Sequence, residues 1–360
     1  MSNARKLADN LPREGQLSNR NLIINGSQNV IQRGNQTGLT GGTHGTDRFH
    51  IAASGRDELV FNVAQNNDVP SGYGFANSLS FQATTPESAI AADEYCAIWQ
   101  KIEAQNLQHL AYGTSSAKKV TLSFWVKSSV TGTFCVGLYK GDNTPQIHNK
   151  TYTISSASTW EYKTITFEAN TLTGGGIDDD DGIGLYVTWH LAAGSNFDSG
   201  SSTSSGWANY TTTNWCEPST TDAVITTTNA TFLLTGVQLE VGSQSTPFEH
   251  EPYETTLAKC QRYFYQFESR AFDMFFDSNV TTATSEYKQN GISFPVEMRA
   301  TPASTSVGTA PVSSNLESPA PTAMIGLSRN HAAFRSRSAS TGRMYLYTNV
   351  GFKNNFDAEL

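Results

Sequence analysis

The sequence predicts a mainly β protein built as a sandwich or jelly roll. Apolar residues recur at every second position through several segments, and Gly-, Ser-, Thr- and Asn-rich joints separate those segments. Only 16% of the 360 residues are charged while 11% are aromatic, a composition suited to short half-buried strands and polar turns rather than to a helical bundle or a disordered chain. Single cores stop growing near ~250–300 residues, so one large domain with a smaller one attached is expected.

The elements follow in chain order. "SNARKLADNLP" (2–12) has helix formers behind Ser2, a plausible N-cap, and stops at Pro12. A free helix this short is marginal in water, so residues 1–20 read either as an attachment segment that docks elsewhere or as a frayed terminus. In "NLIINGSQNVIQRG" (21–34), Leu22 to Ile24 read as a strand that ends at an Asn-Gly turn, with "VIQRG" as the return. In "VTLSFWV", Val120, Leu122, Phe124 and Val126 share one face, and in "TFCVGLY" Phe134, Val136 and Leu138 oppose Cys135 and Tyr139. Such alternation marks half-buried antiparallel strands. Further strands are expected at 160–169, 183–190 and 231–241.

The sandwich is expected to close at "STPFEHEPY". Behind it Leu257, Cys260, Phe264 and Phe267 recur at helical spacing, which predicts one helix near 254–268. Beyond the helix, "GISFPVEMRATP" and "GRMYLYTNVGF" alternate as strands around a Pro/Ser/Thr-rich connector at 301–322. The expected organisation is therefore an N-terminal segment 1–20, a sandwich 21–253, a connecting helix 254–268 and a small C-terminal β module or oligomer-forming cap 269–360.

Charge and cysteine usage exclude several classes. A net charge of −8 with no basic stripe among exposed aromatics argues against a nucleic-acid partner. No apolar run approaches the ~20 residues of a membrane span, so no membrane insertion is expected. Met1 to Arg20 is polar throughout and offers no cleavable secretory signal, so folding in a cytoplasm is expected. Cys96, Cys135, Cys216 and Cys260 lie far apart without paired spacing, which excludes a CxxC site and makes them small buried hydrophobes.

Trp125, Tyr139, Trp160, Tyr162 and Tyr186 fall on the parity opposite their strands' aliphatic residues. Aromatics on a polar face either stack on a ligand or pack beneath loops and neighbouring subunits, and the packing alternative weighs more. "SSGWANYTTTNWCEP" sets Trp207, Tyr210 and Trp215 on a Ser/Thr/Asn-rich loop, where binding residues concentrate, although a long loop also needs aromatic anchors to lie flat. "GGGIDDDDG" crowds Asp178, Asp179, Asp180 and Asp181 between glycines. Asp178, Asp180 and Asp181 suit a calcium ion as hard oxygen ligands, with a solvated acidic turn the weightier alternative. Glu240, Glu249, Glu251 and His250 form the densest titratable cluster, read as a structural corner. No GxSxG, HExxH or P-loop occurs, so no enzymatic activity and no cofactor are expected.

Several phrases converge on one family: "NLIINGSQNVIQRG", "TDRFH" (46–50), "LSFWVKSSVTGTFCVGLY", "LYVTWHLAAGSNF" and "LTGVQLEVGSQSTPFEHEPYETTLAKCQRYFYQF". Over about residues 20–268 the chain resembles a module of bacteriophage virion proteins, found in tail fibres and other appendages and described as carbohydrate-binding-like. The resemblance implies a galactose-binding-like jelly roll assembled on a virion as a homotrimer. It also implies other virion proteins as partners through the N-terminal segment, host surface glycan as ligand, and a structural calcium in some sandwich modules. The glycan-contacting candidates are then Trp207, Tyr210, Trp215, Trp125, Tyr139 and Tyr162. Capsid decoration or a tail collar is the structural alternative, and a glycan depolymerase the enzymatic one. One departure stands out: the family's "ADRW" corner is "TDRFH" here, with Phe49 in place of the tryptophan.

Overall fold

The computed structural model describes residues 19–55, 57–268, 274–280, 287–307, 312–314, 324–337, 342–347 and 353–360. The helix expected at 2–12 lies outside the described residues. Contacts divide the chain into two units, 1–256 and 257–359, with the division inside a helix at Tyr253–Gln261.

Two antiparallel sheets make the first unit. One runs in the order Gln36–Leu39 (β1), Val60–Asn66 (β4), Ser78–Thr85 (β5), Thr231–Val241 (β13), Val120–Ser128 (β7) and Glu161–Phe167 (β10). The other runs Ala208–Asn209 (β12), Gln146–Ile154 (β9), Gly132–Lys140 (β8), Ile183–Ala193 (β11), Tyr95–Glu103 (β6), His50–Ser54 (β3) and Thr43–His44 (β2). The chain crosses between sheets at β1–β2, β3–β4, β5–β6, β6–β7, β7–β8, β9–β10, β10–β11 and β12–β13. This is a jelly-roll β-sandwich, as the alternation predicts.

Parity decides which side chains fill it. Phe124 of β7 meets Trp189 of β11 edge-on at 5.7 Å, and Phe134 of β8 lies 5.9 Å from Phe232 of β13, so aromatic contacts tie the two sheets across the core. Phe49, in the "TDRFH" corner, is fully buried and lies 6.3 Å from Trp189, which gives it a packing role.

Residues 22–24 form no strand, contrary to the sequence expectation. The segment is instead pinned to β13 by isolated bonds, Leu22 N–H to Leu239 O and Val237 N–H to Gly26 O, while Asn25 adopts positive φ and its amide bridges Val30 and Asp47. Asn25 folds the chain back on itself, and a polar side chain satisfying its own loop competes with a ladder. A Cβ on Gly26 would stand 2.0 Å from Val237 O, a backbone atom that cannot swing aside. Gly26→Ala is therefore expected to cost about 1–3 kcal/mol, read as a lowered midpoint in urea denaturation.

Glu249 completes this corner, since its carboxylate accepts the N–H groups of Asn19, Arg20 and Asn21 at 2.8, 2.9 and 3.1 Å. Glu240 is buried and accepts from Gln238, from the Thr246 N–H and from the Thr246 hydroxyl. These acids fasten the entry of the chain to its exit from the sandwich.

The helix also ends earlier than its apolar spacing predicts. It stops at Gln261, and Phe264–Glu268 (β14) is a strand paired with Lys353–Asp357 (β22). Periodicity reads local spacing only, and this ladder joins residues 85 to 93 positions apart, from Glu268 with Lys353 to Phe264 with Asp357. In the second unit, β14 and Ala303–Val307 (β17) flank β22; Met274–Val280 (β15) and Val312–Ser314 (β18) flank Gly342–Tyr347 (β21); Tyr287–Ser293 (β16) and Met324–Leu327 (β19) flank His331–Arg337 (β20). Its core gathers Phe294, Met298, Ala332 and Phe356, with Tyr265 stacked on Phe356 at 6.2 Å. The connector at 301–322 thus contributes two strands that its Pro/Ser/Thr content conceals.

Candidate aromatic cleft

The core-facing parity of β8 and β11 leaves Cys135, Gly137 and Tyr139 on the outer face, opposite His190, Thr188 and Tyr186 in direct register. On β6 the same logic turns Tyr95 and Trp99 outward, because Cys96 and Ile98 are buried. Trp99 pairs with Thr188, and Tyr95 with Ala193. Gly137 keeps the middle of this floor low, since a Cβ there would meet Asn149 Oδ1 at 2.1 Å.

The segment between β11 and β13 folds over one end of the floor. A short helix, Ser195–Asp198 (α1), carries Phe197, and a 3-10 turn at Thr212–Asn214 is closed by Asn214 Oδ1 accepting the Thr211 N–H at 2.9 Å. Asn149 Nδ2 donates to Asn214 O, Cys216 N–H to Phe197 O, and Tyr210 N–H to Pro145 O. Together these bonds fix Tyr210 and Trp215 beside the strands. The result is a cleft of about 210 Å³ lined by Tyr95, Trp99, Tyr139, Tyr186, Thr188, Phe197, Tyr210 and Trp215.

The rings brace one another edge-on. Tyr139 lies 5.2 Å from Tyr186 and 5.0 Å from Tyr210, and Tyr95 lies 4.8 Å from Trp215 and 5.1 Å from Phe197. Burial pushes the phenols of Tyr139, Tyr186 and Tyr210 up from their ordinary value, so they stay protonated and can both donate and accept. Chemically the cleft offers flat apolar faces with a fringe of fixed hydroxyls.

Of the six aromatic candidates, the cleft unites Tyr139, Tyr210 and Trp215. Trp207 is elsewhere: its indole N–H donates to Glu168 O at 2.7 Å, and its ring packs on Tyr112 and His148 at 5.5 and 5.8 Å. It anchors the loop. Trp125 and Tyr162 lie on the outer face of the opposite sheet, where Tyr73, Trp125 and Tyr162 form a row with centroids 4.4 and 5.2 Å apart. Tyr95, Trp99 and Phe197 complete the cleft, although sequence reading did not select them. Alternation in "YCAIWQKIE" marks the first two, whereas nothing marks Phe197.

The acidic turn closes largely on itself: Asp180 Oδ1 accepts the Gly182 N–H, Asp142 accepts the Asp178 N–H, and Asp178 Oδ1 accepts from Asn143. Among the described residues the carboxylates that converge as a group of three are Asp57, Glu87 and Glu94, not Asp178, Asp180 and Asp181. Two of that trio are engaged by backbone, Glu87 by the Leu59 N–H and Glu94 by the Ala91 N–H.

Beside the loop anchor, His148 is buried and accepts the Glu168 N–H at 3.2 Å through Nε2. Burial lowers its pKa to about 4. An unfolded histidine protonates near ~6.5, so between that value and the folded pKa the unfolded chain binds the extra proton and stability falls as pH falls. The loss from pH 7 to pH 4 is expected to be on the order of 3 kcal/mol. Urea denaturation across that range measures it, and His148→Gln should flatten the slope.

No protein family and no curated protein sequence matches the chain. Solved structures similar to it include the tailspike protein 4 enzymatically active domain of bacteriophage CBA120, at 12% identity and TM-score 0.33, covering 62% of this chain and 22% of that one. Another is a xylan-binding domain from Paenibacillus barcinonensis, at 11% identity and TM-score 0.31, covering 64% and 97%. A family 11 carbohydrate-binding module of a Clostridium thermocellum cellulosomal cellulase is similar at 11% identity and TM-score 0.29, covering 59% and 97%. The chain thus spans about a fifth of the tailspike domain's length. Among the described residues no helix is long and apolar enough to cross a membrane.

Proposed function

We propose that this chain is a non-enzymatic glycan-binding protein that holds host glycan in the aromatic cleft, and that it belongs to a phage virion as a tail fibre or surface appendage. The observation that carries the glycan reading is the convergence of Tyr139, Tyr186, Trp99, Tyr95, Tyr210 and Trp215 from three strands and one loop onto one cleft. Sugars present flat C–H faces ringed by hydroxyls, and this lining matches both features. General acid/base cleavage of a glycosidic bond calls for a pair of carboxylic acids, and the eight lining residues supply phenols, indoles, a phenyl ring and one alcohol. The virion assignment rests on the sequence resemblance over about residues 20–268. In that setting the chain acts as a homotrimer joined to other virion proteins by its N-terminal segment. Several weak sites then add through effective concentration.

Binding to a panel of bacterial surface polysaccharides tests the reading, with Trp215→Ala beside the wild-type chain. Retention of the wild type and loss in the variant supports it. Equal binding by both, or reducing ends released from the polysaccharide, overturns the proposed site or the non-enzymatic reading respectively.

A second, purely structural reading is favoured by the aromatic row on the opposite sheet. Tyr73 is 55% and Tyr162 44% exposed, and both flank Trp125. In this reading the chain is a capsid decoration or tail collar, and the row is a contact between copies. Light scattering of wild type and of Tyr73→Ser/Tyr162→Ser separates them: a trimer that dissociates only in the variant favours the interface.

A further inference from the structure

Behind the cleft wall lies a group that the glycan reading does not require. Cys135 on β8 stands directly opposite His190 on β11, and the loop brings Cys216 onto both. The two sulfurs and a ring nitrogen of His190 all lie within 4.8 Å of one another. Cys135 is 0%, Cys216 2% and His190 3% exposed. Among the described residues, neither ring nitrogen of His190 has a hydrogen-bond partner. A buried imidazole with two unanswered nitrogens is costly, and native interiors rarely leave one so.

From this arrangement we infer a metal site: Cys135, Cys216 and His190 bind one thiophilic d10 cation, with zinc the natural occupant. Two thiolates and an imidazole are the donors such ions select, and hard cations prefer oxygen. Zinc is held by thiolates, so binding to the two thiols forms two sulfur–metal bonds, breaks two S–H bonds and releases two protons to solvent without any redox change. Asn149 supplies the outer contact. Its Oδ1 also lacks a partner among the described residues, and it flanks the same point above Gly137 as His190 Nε2, at 2.1 and 3.6 Å from it. When one ring nitrogen holds the metal, the other can donate to this carbonyl, which fixes the tautomer.

The site has a structural consequence. Cys216 follows Trp215, whose ring meets that of His190 edge-on at 4.3 Å, so an ion held here fastens the cleft wall to β8 and β11. This holds whatever the cleft binds.

The full chain, reduced and stripped with a chelator, is incubated with zinc, and bound metal, proton release and melting temperature are measured. One zinc per chain, two protons released and a raised melting temperature are expected, all absent in Cys216→Ser. Asn149→Ala should weaken binding about 10–100-fold. In case the cysteine variant misfolds, cobalt substitution of the wild type gives an independent reading: thiolate-to-cobalt absorption, with Cys135 and Cys216 protected from alkylation, supports the site. Zinc uptake below one per chain, metal bound without thiolate absorption, or a Cys135–Cys216 disulfide that forms in air equally fast with and without zinc overturns it.

Discussion

Tyr139→Ala is expected to weaken glycan binding by about 30-fold, roughly 2 kcal/mol, while leaving the unfolding midpoint nearly unchanged. Tyr139 lines the cleft in contact with both Tyr186 and Tyr210, so under the proposed reading its ring meets a stacked sugar and also orients its neighbours. Its backbone is held in β8 by pairing on both sides, to Tyr186 in β11 and Ile147 in β9, and that pairing does not depend on the side chain. Trp207→Ala makes the complementary measurement. The Trp207 ring is spent on Tyr112, His148 and Glu168 O, so its removal should lower stability with a smaller direct effect on affinity. Calorimetric titration and thermal melts of the two variants read both quantities. Equal affinity losses would remove the distinction between cleft residue and loop anchor.

Trp189→Ala should lower stability by about 3–5 kcal/mol. Trp189 is among the largest fully buried side chains, and it touches Phe49 of the first half of the sandwich and Phe124 of the facing sheet. Deleting its ring leaves a cavity between two sheets, each held by its own ladders, so collapse around the void is limited. Equilibrium denaturation in urea gives the value. A loss below 1 kcal/mol would mean that the core does not close around this ring.

Those two substitutions sit on opposite faces of the seven-stranded sheet, and sequence alone assigns them so. Alternation in 133–139 and 183–190 separates Phe134, Val136, Leu138, Val187 and Trp189 from Tyr139 and Tyr186, because successive side chains of a strand point to opposite faces. The same period anticipates the sandwich and the outward aromatics. It fails at 22–24, where Asn25 answers its own loop and Gly26 passes against Val237 O, and at 264–268, where pairing with 353–357 overrides helical spacing. The second failure comes from residues far away in the chain, and the first combines a local bond, Asn25 with Val30, with a distant contact at Val237.

The candidate cleft shows the same division. Tyr139, Tyr210 and Trp215 could be chosen from the sequence because they are aromatics on a polar face or a polar loop. Nothing local distinguishes them from Trp207, Trp125 and Tyr162, which fold to other places. Sequence determines a side chain's parity and chemistry, since these depend on backbone period and residue type. Which parities meet is decided by strand order and by the hydrogen bonds that seat the 194–222 loop. That loop brings Cys216, 81 positions beyond Cys135 in the numbering, onto Cys135 and His190. Cysteine spacing carries no trace of the meeting, because the covering loop and the β8–β11 register create it only in the folded chain.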